Sequence, residues 1–301
     1  MTIRNPIKKL HSVLLYFLFL TSSFVFAQEA PGISEKSCLW KVQSETNVIY
    51  LLGSIHYLKA ENYPLPQAIE NAFEDVRILV FEMNLDSAST PKSQSFIMQK
   101  ASYGNDMTLE KSLKAETYTL AGEKANEIGL PIATLNGFKP WFFSLSLIAV
   151  KLQSLGYNPN HGIDKYFFNK AKETEKQILA FETLEYQINL FDELSDDFQE
   201  LIVLQTLNEL DVIETEIDQL VESWKKGDVK GMEATVLKSL GEFPEIQERF
   251  INKRNRNWLP QIIEYLQAKE KTMIIVGAGH LVGKEGLVNL LQDKGYQVDQ
   301  L

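Results

Sequence analysis

The sequence predicts an α/β fold: a largely parallel or mixed central sheet flanked by helices, with a helical insertion acting as a cap. Three observations carry that prediction. Short runs rich in β-branched and bulky residues (Val48-Ile49-Tyr50-Leu51-Leu52, Arg77-Ile78-Leu79-Val80-Phe81, Gln177-Ile178-Leu179-Ala180-Phe181 and Met273-Ile274-Ile275-Val276) are too short for helices and read as buried strands. Helical patterns separate them, the alternation that a parallel sheet needs. The stretch from Ser195 to Gly241 carries apolar residues at helical spacing and no strand pattern.

In chain order, Leu39-Trp40-Lys41-Val42 and Val48 to Leu52 form a hairpin across Ser44-Glu45-Thr46-Asn47. Pro66 suits the first turn of a helix whose apolar side is Ile69, Phe73 and Val76. The strand 77–81 follows, then partial helix over 85–106 and a helix from Thr108 to about Ile128, stopped by Gly129-Leu130-Pro131. Ile132-Ala133-Thr134-Leu135 reads as a strand or extended connection. Pro140 opens an apolar, buried helix to Leu155, and Gly162-Ile163-Asp164 begins the next. After the strand 177–181, Ser195-Asp196-Asp197 starts the insertion with acidic residues in its first turn. Phe250 to Leu266 is a helix with a break or restart near Pro260. The strand 273–276, a helix near 285–293 and a last strand through Val298 close the chain.

With 301 residues, 45% hydrophobic and 23% charged, the chain is long enough for a stable core without staples. A net charge of −10 argues against a nucleic-acid partner, which requires a basic face. The first 27 residues join Arg4, Lys8 and Lys9 to an apolar run ending in Val25-Phe26-Ala27, the pattern of a cleaved signal peptide. The run is short for a membrane span, so the expectation is an exported protein, periplasmic or secreted, with no stable span after cleavage. Cys38 is the only cysteine, which excludes an internal disulfide. The expected parts are a signal peptide (1–27), two portions of an α/β domain (28–194 and 251–301) and the helical insertion (195–250) between them.

Two strands end in the same device. Gly53-Ser54-Ile55-His56 follows one and Gly277-Ala278-Gly279-His280 the other, each with a His three positions after the Gly. Ligands of open α/β sheets sit beyond the carboxyl ends of the strands, so both imidazoles are candidates for one site. Either turn alone also reads as an ordinary turn with a histidine. Glu82 and Glu182 follow apolar strands as well, and parallel strands would put both carboxylates on the same edge. Two His with one or two Glu suit a divalent cation of the manganese, cobalt or zinc class that keeps a position open for water. His56, Glu82 and His280 are the expected metal ligands, Glu182 the general base, and Arg254 a donor to the developing oxyanion. Each Glu also reads as a solvated loop residue, and Arg254 as part of a solvated basic face. Asp164 reads either as a partner holding a His ring or as a helix N-terminal carboxylate, and His161 as a loop residue. No Gly-x-Ser-x-Gly, P-loop, His-Glu-x-x-His or Cys-x-x-Cys motif occurs.

Taken together, these residues resemble the TraB/GumN family, related to the Tiki proteins. The resemblance runs through Trp40-Lys41-Val42, Tyr50 to His56, Tyr63-Pro64-Leu65-Pro66, Phe81-Glu82, Lys139-Pro140-Trp141, Gly162-Ile163-Asp164, Phe181-Glu182-Thr183 with Gln187, Arg254-Asn255 with Trp258, and Val276 to Gly283. It implies an α/β fold with both histidines at one site and a metal-dependent hydrolase, most simply a peptidase with a peptide or protein substrate. A haem- or peptide-binding envelope protein and a metal-independent esterase-like hydrolase are the other readings.

Overall fold

The computed structural model describes residues 36–104, 106–240 and 243–301, so the leader-like segment 1–27 lies outside the described residues. The elements run β1 (Leu39–Gln43), β2 (Val48–Ser54), α1 (Gln67–Asp75), β3 (Ile78–Met83), α2 (Leu85–Ala88), α3 (Pro91–Ala101), α4 (Leu109–Ser112), α5 (Ala115–Glu127), α6 (Pro140–Ser154) and α7 (Ile163–Glu173). They continue with β4 (Gln177–Glu182), α8 (Leu184–Asp192), α9 (Asp196–Glu209), α10 (Ile213–Lys225), α11 (Val229–Leu240), α12 (Pro244–Gln247), α13 (Lys253–Gln267), β5 (Thr272–Gly277), α14 (Leu287–Asp293) and β6 (Gln297–Gln300).

The six strands form one sheet in the order β4-β3-β5-β2-β1-β6. Strands β4, β3, β5 and β2 are parallel, and β1 is antiparallel to both of its neighbours, so the sheet is mixed. The expected α/β class is therefore the observed one. Strands β2 and β5 are buried along most or all of their length, which is why they read as unbroken apolar runs rather than alternating ones.

Register positions the site. Ser54 pairs with Gly277, Phe81 with Ile275, and Met83 with Glu182. The four parallel strands thus end abreast, and whatever follows each of them reaches the same edge.

Three local expectations are corrected. Residues Ile132–Leu135 form a 3-10 turn, because Thr134 N–H donates back to Pro131 O at 3.0 Å and only Leu135 of the four is buried. The helix expected from 108 to 128 is split at Leu113-Lys114: Glu200 on α9 accepts from Lys114 N–H at 3.2 Å and from the Thr117 hydroxyl at 2.7 Å, so a distant carboxylate starts α5 afresh. Pro260 lies inside an unbroken α13. It is exposed, so the carbonyl that its ring leaves without an N–H partner faces water.

The described residues of 195–250 form helices joined by short turns, with no strand among them. The insertion backs the first histidine turn: Trp224 on α10, 1% exposed, donates its indole N–H to Gly53 O at 2.6 Å. Gly53 has no room for a side chain, since a Cβ there would lie 2.4 Å from Cys38 Sγ.

Candidate active site

Beyond the carboxyl ends of β2, β3 and β5 opens a cavity of about 390 Å³ lined by His56, Glu82, Asp164, Gln187, Arg254 and His280 on its polar side. Residues from both ends of the chain meet there because the aligned strand ends deliver them together. Glu182, expected beside them, does not line this cavity. It sits behind Arg254 and lines a separate recess of about 280 Å³ with Tyr186 and Trp258. Among the described residues, none from 195–250 lines the main cavity. The cover comes instead from α2, α3 and α8.

Arg254 is the centre of the arrangement. A π-helical turn, Glu248–Asn252, precedes α13, and Arg254 projects from the first turn of that helix into the sheet edge, 2% exposed. Its Nε donates to Glu182 Oε1 at 2.9 Å, and Nη2 donates to Glu182 Oε2 at 2.8 Å and to Glu82 Oε2. Its Nη1 donates to Phe250 O and to His280 Nε2, each at 3.1 Å. A guanidinium has five N–H groups, and all five are committed. Arg254, the expected donor to a substrate oxyanion, thus spends every N–H on protein acceptors in this structure. Glu182, the expected general base, is engaged with it. Its oxygens accept from Arg254, from Trp258 Nε1 at 3.0 Å and from Gln187 Nε2 at 3.2 Å, which makes it an anchor for the guanidinium set back from the main cavity.

The two histidines are held differently. The Asn255 amide nitrogen donates to His280 O at 3.1 Å and to Glu285 O at 2.7 Å, which leaves its oxygen to accept from His280 Nδ1 at 2.6 Å. His280 is therefore the Nδ1–H tautomer, with its Nε2 lone pair turned toward Arg254. The ring is 1% exposed and packs on Trp258 at 4.4 Å. Burial pulls its pKa down to about 3, with Arg254 adding to the effect against the pull of Glu82, so it is neutral at ordinary pH.

His56 is 40% exposed and open to the cavity, with Nδ1 lying 3.2 Å from Asp164 Oδ1. The Ser54 hydroxyl donates to the same Asp164 oxygen at 3.1 Å. Asp164 reaches this place because α7 begins against the turn itself: Ile163 N–H donates to Ile55 O at 3.0 Å, and a Cβ on Gly162 would lie 2.4 Å from His56 O. Desolvation pulls His56 down, but the Asp164 carboxylate, helped by Glu82, outweighs it and lifts the pKa to about 9. Glu82 moves the other way. Burial raises it, yet Arg254 first, then the histidines and the Gly277 N–H at 2.8 Å, hold it down at about 2.

The expected set of metal ligands does not fit this geometry. Among the described residues no group of three or more His, Cys, Asp or Glu side chains is placed to hold a metal ion. The physical reason is the guanidinium, which fills the space between Glu82, Glu182 and His280, takes one Glu82 oxygen and caps the His280 lone pair. Glu82 Oε1 and His280 Nε2 do lie 3.8 Å apart, but His56 is turned to Asp164.

Asn255 and Gln187, which orient His280 and the two glutamates, enter the sequence reading only through the family resemblance, with no role attached. Asn255 sits inside a basic run, and only the helical offset of Arg254 and Trp258 places that run on a buried face. Met83, Leu85, Ile97, Ile188 and Phe191, which wall the cavity, were not singled out by the sequence.

Among known proteins the chain is similar to the uncharacterized protein YbaP of Escherichia coli (strain K12), 21% identical over 81% of this chain and 87% of that one. It is also similar to the metalloprotease TIKI homolog of Amphimedon queenslandica, 22% identical over 89% of this chain and 62% of that protein. No solved structure matches the chain significantly. The model of the TraB/PrgY/gumN family matches residues 38–300, which span all six strands, both Gly-x-x-His turns and Arg254. The chain belongs to the TraB/PrgY/gumN family.

Proposed function

We propose that this protein is a hydrolase of peptide bonds that works through an acid–base pair, His56 and Glu82. One arrangement carries the reading: His56 and Glu82 face one cavity from aligned strand ends, His56 against the Asp164 carboxylate that raises its pKa and Glu82 against the Arg254 guanidinium that lowers its own. At neutral pH His56 is an imidazolium with Nε2–H available, and Glu82 is a carboxylate. Divergent pairs of this kind mark acid and base roles. Similarity to a protein named as a metalloprotease supports the peptide substrate.

Glu82 Oε1 holds a water against the scissile carbonyl. As the water oxygen bonds to carbon, its proton passes to Glu82, and the carbonyl electron pair moves onto oxygen, where His56 Nε2–H donates to it. Collapse re-forms the carbonyl, breaks the C–N bond and returns the proton from Glu82 to the leaving nitrogen. Asp164 keeps the proton on His56, and Arg254 keeps Glu82 ionised and fixed. The leader-like pattern of residues 1–27 supports an exported setting, periplasmic or secreted.

A metal-assisted hydrolase is the second reading. It is favoured by the 3.8 Å between Glu82 Oε1 and His280 Nε2, and it requires Arg254 to withdraw from both. A peptide-library screen of the purified protein, with and without exhaustive chelation, tests the two. Cleavage that survives chelation and falls about 10²–10³-fold in His56→Ala supports the acid–base pair. Loss on chelation, restored by manganese, cobalt or zinc, supports the metal. Undiminished cleavage in both His56→Ala and Glu82→Gln sinks the acid–base assignment.

A further inference from the structure

The cavity has two unlike halves. Every charged or hydrogen-bonding side chain lining it belongs to the sheet-edge cluster already described. The opposite half is apolar: Met83 at the end of β3, Leu85 and Ala88 on α2, Ile97 on α3, and Ile188 and Phe191 on α8. Leu85, Ala88, Ile97 and Ile188 are only partly buried, so this is an apolar wall left uncovered beside polar groups rather than a sealed piece of core. Its charged neighbours on the same elements point away: Asp86 pairs with Lys172 at 2.6 Å, Lys100 with Asp192 at 3.1 Å, and none of the four lines the space.

We infer that this wall is the specificity subsite of the enzyme, and that it takes a bulky apolar side chain, of the leucine or phenylalanine class, next to the scissile peptide bond. The inference rests on the hydrolase reading and adds the substrate class. A volume of about 390 Å³ lies at the low end for ligand pockets, enough for one large side chain and the bond beside it. A charged side chain there would lose its water and meet no partner. The peptide bond of such a substrate would lie between the apolar wall and His56 with Glu82, because the two halves share one continuous space.

Two measurements test the subsite. The first is kcat/KM on short peptides differing only in the residue before the scissile bond. Phenylalanine or leucine should exceed alanine by at least about 10–200-fold, the range seen for small hydrocarbon differences in apolar pockets. Lysine and aspartate should be cleaved far more slowly. The second needs no turnover: binding of N-acetyl-phenylalanine amide, and of its lysine counterpart, to the His56→Ala protein by calorimetry. The phenylalanine probe should bind, the lysine one should not, and filling the space by Ala88→Trp or Ile188→Trp in that background should abolish binding while the fold persists by circular dichroism. If peptides are never cleaved but Trp-sensitive binding of the apolar probe holds, the subsite stands and the hydrolase reading falls. Equal cleavage of lysine and phenylalanine peptides, probe binding untouched by both Trp variants, or cleavage of octanoyl esters with no peptide cleaved, would each overturn the proposal.

Discussion

Arg254 Nη1 lies 3.1 Å from His280 Nε2, joining the second helix residue after a π-helical turn to the second Gly-x-x-His motif. The contact makes His280 an acceptor and a structural member of the site, while His56, at the matching place in the first motif, stays open to the cavity. Two motifs that look alike in sequence therefore end in different roles. The predictions below follow from that asymmetry and from the network behind it.

Replacing Arg254 leaves Glu82 and Glu182 facing each other without compensation. Breaking a buried ion pair from one side typically costs about 3–5 kcal/mol, and Arg254→Met should lose stability on that scale in urea melts. Arg254→Lys should recover little, because an ammonium cannot reproduce a fork of five donors. A melt within about 0.5 kcal/mol of the wild type would refute the network.

The acid role of His56 sets a pH profile. Its folded pKa is raised above the ordinary 6.5, so the donor form is complete at neutrality and is lost as pH rises through about 9. Hydrolysis should hold level from about pH 6 to 8 and decline above 9. Asp164→Asn removes the main upward push and should move the falling limb to lower pH. A limb that stays in place would show that Asp164 does not hold the proton on His56.

His280 gives the protein an acid-sensitive stability. Its folded pKa of about 3 lies below the ordinary 6.5, so the unfolded chain binds a proton that the folded one refuses. That stability is full above about pH 6.5 and drains as pH falls toward 3. Glu82, lowered from 4.5 to about 2, adds a loss that begins lower. Urea melts between pH 4 and 7 should therefore slope in the wild type and flatten in His280→Gln. Parallel slopes would place the acid sensitivity elsewhere.

The Trp224 indole is the donor from the insertion to the buried Gly53 carbonyl. Trp224→Phe strands that carbonyl and should cost about 1–3 kcal/mol for the unmade hydrogen bond, before any packing loss. Hydrolysis at saturating substrate should persist, since no described residue of the insertion lines the cavity. Thermal melts paired with kcat separate the two effects.

The strands β2, β3 and β5 were legible because buried strands are apolar along their length, half-exposed β4 because its run is short and apolar, and the pair of Gly-x-x-His turns because both sit at strand ends. Family membership and the α/β class followed from those short stretches. Asp164 against His56 was readable as one of two options. The sequence could not say which histidine would be open and which enclosed: that depends on α7 meeting the first turn through Gly162 and on Asn255 meeting the second from α13, contacts between segments about 25 to 110 residues apart. Nor could it give Arg254 its place. One arginine in a basic run looks solvated, and only the packing of α13 on the sheet edge removes it from water and sets two carboxylates and an imidazole around it. Local sequence determines where strands, turns and helix starts fall, because those obey nearby backbone chemistry. Which side chains share charge and which face the empty space is decided by strand register and helix docking, where a buried group must find its partner wherever the fold brings one.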